Sequence, residues 1–407
     1  MKNHILNTIT VVILAFSNIS LYGQQFSSGN ALFTLQREEK IASVATKWHL
    51  FEDHTIAEFA DGWNMLDETQ VYQNDDYLRS LYSWNGNYVA RLQLNPRESQ
   101  DRIDRQLTIT VFNSEQQMLY SWQRKQYFDR TLPVVALSDQ NGALVLGESD
   151  SGELWFYDSQ GILKNQVSLF PDAEYNLERV LEMETDKEGS TLAVLASKRG
   201  SGLVGSDAKN PDSEPHLMLF DDMGKEIWRI HLPEKSASAL NFSPDGKKIL
   251  VNSFAVDFSG QISKNALLFN ETGEQLLETE MLYKFASYSG DASHLIMADN
   301  QQIRVFNLIQ KKLLWLADID RDEGMIASAK ISDDGKTSAI ISGKNEWDGT
   351  KFIFRGAKIT IFDTLGKTHQ KMNFEDKSFR NPALWLSPQG DMLRVGFEDS
   401  YLLFARE

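Results

Sequence analysis

A short apolar strand that ends in an aromatic residue, usually followed by Asp or Asn, recurs seven times in this 407-residue chain. The copies are LTITVFN (Leu107–Asn113), LWFYD (Leu154–Asp158), LMLFD (Leu217–Asp221), ALLFN (Ala266–Asn270), IRVFN (Ile303–Asn307), ITIFD (Ile359–Asp363) and YLLFA (Tyr401–Ala405). The aromatic residues are spaced 37 to 63 positions apart, centring near 50. That is the size of one four-stranded propeller blade, and self-similarity at such a period decides a fold before any local propensity does.

The flanking residues complete the unit. After the aromatic, Asp or Asn opens a turn by bonding backbone amides two residues on, and glycine often follows, at Gly161, Gly224, Gly273 and Gly366. A further strand comes next, as in KEIWRI, EQLLET and KLLWLA. Upstream of each copy lies a second turn, at Asn85-Gly86, Asn141-Gly142, Glu188-Gly189, Asp245-Gly246, Gly290-Asp291, Asp334-Gly335 and Gln389-Gly390. Asn-Gly and Asp-Gly between apolar runs are strong hairpin signals. Each unit therefore reads strand, turn, strand, loop, strand, turn, strand. Seven units predict an all-β, seven-bladed β-propeller.

The last unit stops at Glu407 with three strands. An open sheet edge is a pairing hazard, so a propeller must close its ring. Ile41–Phe51 (IASVATKWHLF) is apolar enough to supply the missing outer strand and join the termini in one blade. On this reading residues 24–76 are closing strand and lead-in and residues 77–407 are blades. An extra blade or a cap built from Gln24–Asp76 is the competing arrangement.

ALNFSPDGKKILVNS (Ala239–Ser253) resembles the repeat of the WD40-like propellers of exported bacterial proteins, with weaker echoes in Lys330–Ser342 and Trp385–Phe397. FDDMGKEIW (Phe220–Trp228) resembles the repeat of quinoprotein-type propellers, whose Gly-Lys-x-x-Trp ending docks one blade on the next. The echoes span most of residues 80–407. They imply a superfold and no activity, since propellers host enzymes, binders and scaffolds alike.

The resemblance also implies that the face bearing the loops between second and third strands carries function. Four of those loops are enlarged: Asn95–Arg105, Lys198–Pro215, Phe254–Asn265 and Gly343–Gly356. Aromatic and Arg residues on loops of a rigid scaffold are favoured anchors. The candidate binding residues are accordingly Arg102, Arg105, Trp347, Phe352 and Arg355. The alternative at each ring is packing against its own blade.

Other chemistry is thin. Asp318–Gly324 (DIDRDEG) spaces three acids like a calcium loop, but Glu323 stands where glycine is usual, so an acidic linker is the plainer reading. Asp150–Trp155 resembles an Asp-box turn and occurs once. The histidines are scattered, and no nucleophile elbow, phosphate loop or dinucleotide fingerprint is present. No metal and no cofactor is expected. The absence of cysteine excludes disulfides and thiolate chemistry. A net charge of −16 disfavours nucleic acid and anionic membrane surfaces as partners.

The first 23 residues combine a short basic start, the apolar run Ile9–Phe16 and a small residue, Gly23, before Gln24. That is the layout of a secretory signal peptide, and the apolar run is too short to span a bilayer. The expectation is an exported propeller that binds a protein or glycan through its long loops. The runner-up is an enzyme acting on a sugar or lactone in the central funnel, and a quinone-dependent dehydrogenase stands third.

Overall fold

The computed structural model describes residues 33–41, 47–59, 62–65, 71–73, 77–94, 105–126, 132–149, 151–171, 179–199, 213–256, 262–347, 349, 352–379 and 381–406. The segment expected to be a signal peptide, residues 1–23, lies outside them. Among the described residues the chain forms 32 strands in eight four-stranded antiparallel sheets. Seven sheets are consecutive meanders: blade 1 (residues 47–73), blade 2 (77–126), blade 3 (134–168), blade 4 (179–231), blade 5 (236–279), blade 6 (285–318) and blade 7 (325–379).

Blade 8 takes β30 (Ala383–Leu386), β31 (Met392–Phe397) and β32 (Ser400–Arg406) from the C-terminus. Its fourth, outermost strand is β1 (Phe33–Lys40), paired antiparallel from Phe33↔Arg406 to Lys40↔Ser400. The ring is thus closed by an N-terminal strand, as expected. The strand that closes it is Phe33–Lys40, where the sequence pattern pointed to Ile41–Phe51.

That segment instead opens an eighth blade. It holds β2 (Lys47–Leu50), the innermost strand of blade 1, which pairs with β3 (Thr55–Phe59). The sevenfold beat misses this blade for a local reason. Its first turn, Glu52-Asp53-His54, has no glycine, and its third strand, β4 (Gly62–Met65, GWNM), sets Trp63-Asn64 in mid-strand with no apolar run before it.

Two recurrent devices explain why these residues form blades. In the turn after β18 (Ser236–Phe242), the Ser243 hydroxyl donates to Asp245 (2.5 Å) and accepts the Lys248 amide (2.9 Å), while Gly246 takes φ +67°. Ser289 and Ser332 repeat the same bonds in blades 6 and 7, and Ser387 of blade 8 accepts the Met392 amide in the same way but donates to Asp391, four residues on. The Ser-Pro-Asp-Gly motif is therefore a self-capped hairpin, and its function is folding.

The second device docks neighbours. Trp228 donates from Nε1 to the Glu271 carbonyl (2.8 Å) across the junction of blades 4 and 5, and Gly273 lies against its ring. Gly366 sits on Trp315 and Gly161 on Tyr120 in the same way. The Gly-Lys-x-x-Trp reading holds at Trp228, and its geometry recurs where the motif is not spelled out. Between these seams, apolar clusters span adjacent blades, such as Leu250 and Leu268 of blade 5 with Leu295 and Met297 of blade 6. Among the described residues no helix is long and apolar enough to cross a membrane.

Candidate functional site

The hairpin between second and third strands differs sharply from blade to blade. In blade 2 it joins β7 (Tyr88–Leu94) to β8 (Arg105–Asn113), and in blade 4 β15 (Thr191–Arg199) to β16 (Ser213–Asp221). In blade 5 it joins β19 (Lys248–Val256) to β20 (Ile262–Asn270), and in blade 7 β27 (Ser338–Trp347) to β28 (Phe352–Phe362). Those strands run 7 to 11 residues, against 4 to 7 in the other blades.

The same four blades have the longest innermost strands: β6 (Tyr77–Tyr82), β14 (Arg179–Thr185), β18 and β26 (Met325–Ile331). Each of the four carries a bulge near its start, at Tyr77/Arg79, Val180/Glu182, Ser238/Asn241 and Ile326/Ser328. The remaining four innermost strands have four residues each and pair without one. A bulge bends and twists its strand, which is what a strand needs to follow a taller blade outward. Blades 2, 4, 5 and 7 therefore rise above blades 1, 3, 6 and 8 on one face. The enlarged loops are extensions of the ladder wherever they are described.

The Gly343–Gly356 insertion is the best defined of them. Trp347 faces Phe352 across the tip, Asn345 faces Phe354, and Lys344 faces Arg355. Alternation puts Trp347, Asn345 and Phe354 on one side of the sheet and Glu346 and Arg355 on the other. Phe354 stacks on Phe379 of β29 (Thr368–Phe379) at 5.2 Å, and Phe379 meets Phe397 of blade 8 at 5.6 Å. The stacked rings lie in the core between blades 7 and 8, and Trp347, on the same side of the sheet at the hairpin tip, is 57% exposed.

The five candidate residues do not converge. Arg102 lies outside the described residues. Arg105 begins β8, paired with Gln126, on blade 2. Phe352 pairs with Trp347 at the tip of blade 7. Arg355 holds an exposed ion pair with Glu346 (3.3 Å), which contributes little to stability. Blades 8 and 1 stand between the two sets. In the acidic segment Asp318–Gly324, Asp318 accepts from Gln302 (2.8 Å) and Asp320 caps the short 3-10 turn Arg321–Glu323 through the Asp322 amide (3.0 Å).

A polar group at the channel wall was not anticipated. Glu182 and Glu184, at alternate positions of β14, point toward blade 5. Glu182 accepts the amides of Ala239 (2.9 Å) and Leu240 (2.7 Å), both freed by the β18 bulge where Ala239 takes φ +59°. Glu184 accepts the Phe242 amide (2.8 Å). Burial pushes Glu184 up to about 8, with Glu182 adding to the shift and the Phe242 amide and Lys330 opposing it. Burial lowers Lys330, which lies on β26, while Glu184 works against that shift. The sequence signal was Val180–Thr185 (VLEMET), where two carboxylates interrupt an apolar strand at period two. These acids are committed to the amides of a neighbouring strand edge, so they act first as an inter-blade seam.

No protein-family model matches the chain, and no curated protein matches it in sequence. Among solved structures it is similar to the crystal structure of the Myceliophteria thermophila Cps50 (Swd1) beta-propeller domain. The identity is 12%, over 82% of this chain and 97% of that chain, with a TM-score of 0.45. By its own strand order and the pairing of its two ends, the chain is a β-propeller.

Proposed function

We propose that this protein is an exported binding module that holds a protein or glycan on its crenellated face, in the gap over blades 8 and 1. The observation that carries this reading is Trp347, raised on the blade 7 hairpin and 57% exposed beside a short blade. A large exposed aromatic on a rigid strand offers contact area at low entropic cost. The channel carboxylates favour this reading over catalysis in the funnel, since each nearby acid already accepts a backbone amide.

A photo-cross-linking residue at Trp347 tests it, with the same residue at Met223 as control. Met223 is equally exposed, at 57%, but sits on a turn of the opposite face. Partner adducts at position 347 and none at 223 support the proposal, as does glycan-array binding abolished by Trp347→Ala. Equal labelling at both positions together with unaltered glycan binding refutes it. Export is checked separately: the N-terminus of the protein recovered outside the cytoplasm should be Gln24.

A further inference from the structure

Outer strands of propeller blades expose unpaired N–H and C=O groups, and proteins usually blunt such edges with charges. Charges interrupt most of the outer strands here, and in one of them they stand only at the two ends. β13 (Leu163–Ser168, LKNQVS) carries Lys164, and β17 (Glu226–His231, EIWRIH) carries the Glu226–Arg229 ion pair (2.6 Å). In blade 6, β25 (Lys312–Asp318, KLLWLAD) exposes Leu313, Leu314 and Leu316 with no charge among them.

The apolar surface continues past the strand. Ile309, in the turn before β25, is 78% exposed, and Leu365 of blade 7 is 81% exposed. Leu365 belongs here because its neighbour Gly366 rests on the Trp315 ring. Contiguous exposed apolar patches on an otherwise charged protein mark interaction sites.

The charges at the ends of β25 identify the partner. Lys312 opens the strand and Asp318 closes it, and both are exposed. A bulge at Leu314 interrupts the pairing of β25 with its neighbour Gln302–Asn307, and laid antiparallel against a copy of itself about Trp315 the strand brings Lys312 near Asp318 and Leu314 near Leu316. Opposite charges and apolar side chains facing across strands stabilise a pair. One patch serving both copies is what a twofold contact requires.

We propose that β25 is a self-recognition edge on which a second copy of this chain adds antiparallel, joining two blade 6 sheets across a twofold axis at Trp315. Pairing satisfies the edge amides and covers the leucines in one step. The crenellated face of each copy plays no part in the contact.

Sedimentation velocity on the full chain tests this over roughly 1–100 μM, the range suited to a small edge contact. The wild type should shift from one copy to two across that range. Leu314→Lys with Leu316→Lys should stay monomeric, with unchanged thermal unfolding because both positions are exposed. Lys312→Asp places like charges at both ends and should weaken the dimer about tenfold. Adding Asp318→Lys to that variant should restore it. The chain has no cysteine of its own, so a mixture of Leu314→Cys and Leu316→Cys chains should form a mixed disulfide dimer that reports the register. A wild type that stays monomeric, a dimer that survives the leucine changes, or a charge swap that fails to rescue overturns the proposal.

Discussion

Glu184 shows what a single residue contributes and what it costs. Its carboxyl caps the Phe242 amide across two blades, yet burial holds its pKa near 8. A folded-state pKa above the unfolded one means that the unfolded chain loses its proton first. Stability from this group is therefore complete below about pH 4.5 and declines as pH rises toward 8. Gln keeps the accepting oxygen and cannot ionise. Glu184→Gln should leave stability unchanged at pH 5 and raise it by about 1–2 kcal/mol at pH 9, after discounting for the partial exposure of the side chain. Denaturant unfolding across that pH range checks it, and parallel curves for the two proteins would show that Glu184 is not the titrating group. Lys330 lies on the far blade and faces the same carboxylate, so Lys330→Met should push the Glu184 transition higher still.

At the scale of the element, the turn between third and fourth strands is a docking device, and its glycine has two separable reasons to exist. Gly366 has φ +75°, and a Cβ there would come within 2.6 Å of the Trp315 ring. Gly356 has φ +64° with nothing within 4 Å. Gly356→Ala should thus cost about 1 kcal/mol, the backbone cost of the left-handed region alone. Gly366→Ala should cost about 2–4 kcal/mol, because the ring must also move out of its packed site. Thermal unfolding of the two variants separates the two costs, and equal losses would mean that the turn does not bear on Trp315. The repeated turns made this device legible in the sequence, because aromatic, Asp and glycine stand at fixed offsets. Blade 1 was illegible for the converse reason, since Glu52-Asp53-His54 marks its turn without glycine. The heights of the blades could be read from the distance between turn glycine and aromatic, as at Gly335 and Phe362. Where Trp347, Phe354 and Arg355 face could not, because a tip that continues as ladder fixes its sides by register. The bulges that free the Ala239 and Leu240 amides likewise leave no mark in composition.

At the scale of the whole molecule, the fold depends on a seam between residues more than 300 positions apart. Phe33, 1% exposed, anchors β1 in the core shared by blades 7 and 8. Gln370 of blade 7 reads its backbone directly, accepting the Phe33 amide at 2.8 Å and donating to the Phe33 carbonyl at 2.9 Å. Farther along the seam, the buried Lys377 ammonium lies 3.3 Å from Glu38 and 3.5 Å from Asp399, and donates to Ser400 (3.0 Å). Gln370 therefore does for blades 7 and 8 what a ladder does within a blade, and its loss strands two buried backbone groups. Gln370→Ala should cost about 2–4 kcal/mol. Gln370→Glu keeps both bonds while protonated, its carbonyl accepting the Phe33 amide and its hydroxyl donating to the Phe33 carbonyl, so it should cost little at low pH and about as much as the alanine change or more once it ionises and loses the donor. Both losses belong to ring closure, so amide exchange should quicken first along Phe33–Lys40 and the facing Ser400–Arg406, ahead of blades 3 to 5. If exchange in those central blades rises equally, the ring unfolds as one unit and the seam is no weaker than any other junction.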